Sequence, residues 1–149
     1  VPRPLALIVG VLALGTLFVP PHEPRADKGD AFLDAQTPGV LTIEPGECFT
    51  DLTGGHVRYI PCDERGAANQ AYGFVQVADG PWDRTALAAH AWRVCGTGFA
   101  RQWPDGRARG LAYYPVLPTA ATWAGGDRDI MCAAYRTDGP LTGSLLPRY

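Results

Sequence analysis

Cys48, Cys62, Cys95 and Cys132 carry the best-defined chemistry in this chain: they can pair with one another, hold a metal, or stand as free thiols. A structural zinc site usually brings two ligands close together in sequence, as in C-x-x-C, and no two of these cysteines are that near. His56 falls between Cys48 and Cys62 but at no ligand-like spacing. Neither a metal nor any other cofactor is therefore expected. An even cysteine count behind an export-like segment reads as a disulfide framework. Four cysteines allow three pairings. The preferred one is Cys48–Cys62, closing a turn around Asp51 to Gly55, with Cys95–Cys132 tying a helix to a late strand. The chain-entropy relation gives about 3 kcal/mol for the shorter loop and about 4 kcal/mol for the longer.

Acid–base and nucleophilic chemistry has little to work with. The histidines are His22, His56 and His90. His22 sits in a proline-rich tether, His56 in a glycine-rich turn, and His90 beside the apolar stripe of a helix. Ser144 is the only serine, and its Thr142-Gly143-Ser144-Leu145 setting is a turn, not a nucleophile elbow. No catalytic residue is assigned. Asp127-Arg128-Asp129 is the densest charged cluster beside an expected strand. Its favoured role is to order its own loop, the carboxylate accepting backbone N–H and the guanidinium pairing locally. Gly125-Gly126 suits a tight turn, since no helix starts there to make a phosphate cradle. Trp103, in Trp103-Pro104-Asp105-Gly106, is expected to be partly exposed. With Trp123, Asp127 and Arg128 it forms the candidate binding surface.

The elements that must hold these groups follow from the remaining pattern. Leu5 to Val19 is apolar except for Thr16. As a helix it reaches about 22 Å, against a hydrocarbon core of about 30 Å. The Pro20-Pro21-His22-Glu23-Pro24 that follows suits signal cleavage poorly, so residues 1–20 read as an uncleaved signal anchor, with a cleaved signal as the alternative. Residues 21–40 read as a proline-rich linker and 41–149 as an extracytoplasmic domain, with membrane contact through residues 5–19. In the body, His56–Ile60, Ala71–Val77, Leu111–Leu117 and Asp129–Tyr135 read as strands, the third placed at an edge by Pro115. After Asp83, a plausible N-cap, Leu87, Ala88, Ala91, Trp92, Cys95 and Phe99 recur at helical spacing. One helix among several strands is α+β: a small, mostly antiparallel sheet packed on one main helix, stapled by two disulfides and preceded by a transmembrane helix. A formal charge of −2 without a basic run leaves no footprint for nucleic acid.

Several short motifs stand in a familiar order. Gly46-Glu47-Cys48-Phe49, Ile60-Pro61-Cys62 and Tyr72-Gly73 are followed by Cys95 in a helix and by Trp123-Ala124-Gly125-Gly126-Asp127-Arg128. Cys132 and Gly139-Pro140-Leu141-Thr142-Gly143-Ser144-Leu145 complete the series. Across residues 41–146 this resembles the actinobacterial "septum formation" family. The chain departs from that pattern after the second cysteine, where Asp63-Glu64-Arg65-Gly66 replaces a Pro-His pair. The resemblance implies a membrane-attached extracytoplasmic domain related to the cell envelope or cell division. It implies no reaction.

Two functions fit this reading. One is a non-catalytic interaction module, or an accessory subunit of a membrane complex, that contacts a protein partner. The other is a cell-envelope hydrolase or carbohydrate-acting enzyme using carboxylates such as Asp105 and Asp127, which would have to face one cleft.

Overall fold

The longest helix, α1 (Arg84–Gln102), forms where its apolar positions recur every three or four residues, and Leu87, Ala88, Ala91, Cys95 and Phe99 are buried along that stripe. Asp83 caps it, accepting a hydrogen bond from the Ala86 N–H at 3.0 Å. The computed structural model describes residues 33–51 and 55–147. The expected membrane segment at 5–19 and the linker up to residue 32 lie outside the described residues. Among the described residues no helix is long and apolar enough to cross a membrane.

Strands β1 (Cys48–Phe49), β2 (Asn69–Gln76), β3 (Leu111–Val116) and β4 (Asp129–Arg136) form one antiparallel sheet in the order β1-β2-β4-β3. A short helix, α2 (Ala120–Ala124), joins β3 to β4 and begins with a Thr119–Thr122 capping box. Pro115 does sit on an edge strand, where its missing N–H costs the ladder nothing on the open side. The α+β architecture with one main helix is thus the one expected. His56–Ile60 differs from expectation: it is not a continuous strand but holds isolated bridge positions, among them Tyr59 with Phe49, because β1 offers it just two residues.

The β2–β4 register slips between Ala71 and Gly73, a bulge. Its effect is visible in the spacing of the side chains that reach α1. Tyr72 and Val75 both pack on the helix side, three residues apart, which an unbroken strand forbids. The helix side of the sheet also contributes Ile130, Cys132 and Leu117. The opposite side contributes Ala71, Ala112, Tyr114, Val116, Met131, Ala133 and Tyr135, with Phe49 of β1, and is covered by irregular chain carrying Leu33, Val40, Ile43 and Val57.

That cover moves the start of the folded body. Leu33, Ala35 and Val40 fall within the expected linker, yet all three are buried. The Ala35 N–H donates to the Leu117 carbonyl at 2.9 Å, and Asp34 bridges Leu117 in parallel. The turn into this segment needs Gly39: its φ is +88°, and a Cβ there would stand 1.9 Å from the Val57 carbonyl oxygen.

Both preferred disulfides are present and no described cysteine is free. Cys48–Cys62 spans 5.1 Å between Cα atoms and ties β1 to the irregular cover. Cys95–Cys132 spans 5.4 Å and crosses from α1 to the central strand β4.

Candidate functional site

The irregular cover stops short of one end of the sheet. Beyond it, a cleft of about 100 Å³ remains on the side away from α1. Val116 and Met131 from the sheet form its apolar floor, Val40 and Leu41 bound it on the cover side, and Phe74 on the β2 side. Leu41 is 67% exposed and Phe74 37%, which puts two of the largest exposed apolar side chains on one rim. Asp127 and Asp129 close the remaining end and, among the described residues, are the only ionisable ones lining the cleft.

Local backbone chemistry places these two carboxylates. Gly126, at φ +98°, turns the chain out of α2, and the Asp127 N–H donates to the Thr122 carbonyl at 3.0 Å. Asp127 Oδ1 then accepts from the Asp129 N–H at 3.1 Å, an Asx turn that launches β4. Asp127 Oδ2 is closed off from solvent and accepts no hydrogen bond from the described residues. The guanidinium between them in sequence turns away. Arg128 lies 3.9 Å over the Trp123 ring, donates to the Trp123 and Asp127 carbonyls at 2.7 and 2.8 Å, and meets Asp79 at 2.9 Å. Arg128 therefore orders its loop from the other side and does not neutralise the cleft.

The four residues marked as a candidate surface do not come together. Trp103, expected to be partly exposed, is only 5% exposed. As the C-cap of α1 it extends the buried stripe one turn beyond Phe99, and the turn begins after it. Its ring packs on Tyr72 and Phe99 at 5.4 and 5.3 Å, and its indole N–H donates to the Leu145 carbonyl at 3.1 Å. Trp123 is also buried, its indole N–H donating to the Gly80 carbonyl at 3.0 Å. The two tryptophans sit near opposite ends of β4, eight residues long and hence about 23 Å.

The two named carboxylates also lie toward opposite ends of the sheet. Asp105 follows α1 at the far end, paired with Arg109 at 3.2 Å, while Asp127 opens β4. A larger cleft of about 430 Å³ lies at the Asp105 end, but its arginines face carboxylates: Arg109 meets Asp105, and Arg136 meets Asp138 at 2.6 Å. His56 is exposed in its turn. His90 is half-buried on α1 with its ring nitrogen 2.9 Å from Arg93. Ser144 is bound to Gln70, whose side-chain N–H donates to its hydroxyl at 2.9 Å. Among the described residues no three His, Cys, Asp or Glu side chains gather as a metal would require.

Sequence reasoning missed two features. One is Gln70, 1% exposed, which bonds the Gly46 carbonyl at 2.9 Å and accepts from the Leu145 N–H at 2.7 Å, fastening the C-terminal tail to β2. The signal was an amide pair, Asn69-Gln70, at the head of a strand. The other is Tyr72, whose hydroxyl donates to the Cys95 carbonyl at 2.7 Å beside a disulfide. Burial, and then the neighbouring Tyr113, push that phenol far above its ordinary range.

No family model, curated protein or solved structure matches this chain.

Proposed function

We propose that this chain is a membrane-anchored extracytoplasmic interaction module, acting in a cell-envelope or cell-division complex or as an accessory subunit of a membrane assembly. The observation that carries this reading is the pairing of all four cysteines in two disulfides, which suits an oxidising compartment outside the cytoplasm. The apolar run from Leu5 to Val19 supplies the anchor. The order of the cysteine, W-x-x-G-D-R and G-S-L motifs supports kinship with the "septum formation" family. The scatter of histidines, Ser144 and paired arginines favours binding over catalysis, since acid–base work needs its groups within hydrogen-bond reach. The exposed Leu41 and Phe74 beside an unneutralised acidic end favour a protein surface as the partner.

The test is recovery of the full chain from its native membrane in gentle detergent, followed by mass spectrometry of what accompanies it. Reproducible co-purification of one envelope protein is the expected result. Repeated recovery of the chain alone would count decisively against the reading.

The alternative, an envelope hydrolase or carbohydrate-acting enzyme, draws its one support from Asp127 and Asp129 sharing a cleft. The carboxylates of a glycosidase must flank a sugar ring about 5 Å or more apart. A cleft of about 100 Å³ with an apolar floor is small for that task.

A further inference from the structure

The cleft between Leu41, Phe74 and the two aspartates has a composition that selects its occupant. Its floor and walls are aliphatic or aromatic, so they favour an unbranched apolar stem over a hydrated ion. Its end carries two carboxylates, and Arg128, which stands between them in sequence, is spent on Trp123 and Asp79. Asp127 adds its charge to that end, with Oδ1 held by the Asp129 N–H and Oδ2 closed off from solvent. Asp129, exposed at the mouth, is the carboxylate an incoming cation meets first. An apolar stem ending in a strong donor cation is the chemistry of a lysine side chain.

A neighbouring feature favours a polypeptide as the carrier of that lysine. β1 pairs with β2 only at Asn69 and Gln70, so from Gly73 to Gln76 the outer edge of β2 faces no strand among the described residues. An open edge of this kind offers backbone donors and acceptors to an extended chain. Phe74 belongs both to this edge and to the cleft.

We propose that the cleft receives a lysine side chain of a partner protein, whose backbone runs beside the outer edge of β2. The ammonium lies between Asp127 and Asp129, and the aliphatic stem lies between Leu41 and Phe74. This deepens the interaction reading and rests on it.

The probe for the chemistry is n-butylammonium, titrated into the isotopically labelled full chain in mild detergent and followed by amide chemical shifts. Saturable shifts at Leu41, Phe74 and Asp129 are expected. Asp129→Asn and Asp127→Asn should each weaken them about threefold or more, and exposed Asp63→Asn should leave them unchanged. Equal responses to n-butanol or n-butyrate, or shifts indifferent to both cleft variants, would overturn the proposal. Because Asp127 also holds the turn into β4, Asp129→Asn supplies the decisive arm should Asp127→Asn misfold. In the native-membrane recovery, a partner lost with Asp129→Asn supports the proposal. A partner retained equally by wild type and both variants removes the cleft from the interface and leaves the interaction reading intact. No partner with either form overturns both.

Discussion

The two faces of the sheet are buried by different means. On one face a single helix, capped by Asp83 and striped with Leu87, Ala91, Cys95 and Phe99, lies across β2, β3 and β4. On the other, the apolar side chains are covered by chain without long regular elements, from Leu33 to Ile43 and around Val57. Regular cover satisfies its own backbone groups within the helix. Irregular cover must satisfy them one at a time, through bonds such as Ala35 to Leu117, Val57 to Pro38 and Thr50 to Arg58. Clefts on the helix side lie at the two ends of α1, beside Leu87 and beside Trp103, whereas the irregular cover stops early over the sheet itself and leaves the cleft that holds the two aspartates. The candidate site is thus where the less regular layer ends.

Removing the disulfides one at a time tests whether the two layers are held independently. The double change Cys95→Ala with Cys132→Ala should cost about 4 kcal/mol by the chain-entropy relation and loosen α1 from β4. Cys48→Ala with Cys62→Ala should cost about 3 kcal/mol and loosen the irregular cover while α1 stays protected. Urea unfolding together with amide exchange separates the two. Loss of protection over the whole chain in both variants would mean the layers are one cooperative unit.

Gly39→Ala strikes the irregular cover alone. A methyl group at positive φ and 1.9 Å from a backbone carbonyl cannot be absorbed by a rotamer change, so a loss of about 2 kcal/mol or more is expected. A neutral result in chemical denaturation would mean that the Gly39–Val57 contact is not formed. Gln70→Ala leaves the Gly46 carbonyl and the Leu145 N–H without their partner and should cost about 2 kcal/mol, freeing the tail from Ser144 onward to proteolysis. Tail cleavage no faster than in wild type would contradict the fastening role of that side chain.

The smallest effect concerns the helix-covered face. Tyr72→Phe removes one hydrogen bond to the Cys95 carbonyl and should cost about 1 kcal/mol at neutral pH. It also alters the response to alkali. The folded phenol keeps its proton well above the range where an unfolded tyrosine releases it. The folded state therefore binds more protons above about pH 10, and stability falls there as pH rises, by up to about 1.4 kcal/mol per pH unit. The phenylalanine variant should lose that slope. Parallel urea midpoints at pH 8 and pH 10.5 measure it, and identical slopes in both proteins would refute the buried-phenol account.

What the sequence revealed divides along the same two faces. The helix, its Asp83 cap and the edge position of Pro115 were legible because each follows from a local period or a missing donor. The cysteine pairing was legible because one bridge closes a short turn and the other joins two recognisable elements. The irregular cover was hidden: Leu33, Ala35 and Val40 lie among prolines, glycines and charges with no period to mark burial, so the chain there read as linker. Trp103 misled because the Pro104-Asp105-Gly106 turn was taken to begin one residue too early. The cleft was least legible of all. Leu41, Phe74 and Asp129 come from separate segments, and only the Asp127-Arg128-Asp129 cluster drew attention, with its arginine facing the wrong way.

The central claim, a disulfide-stapled domain outside the cytoplasm, is tested most directly on the protein in its native cells. Thiols are trapped by an alkylating agent at the moment of lysis, and the intact mass is measured before and after reduction with a second alkylation. The expected result is no alkyl group before reduction and four after it, one for each cysteine. Four alkyl groups already present before reduction would contradict the claim.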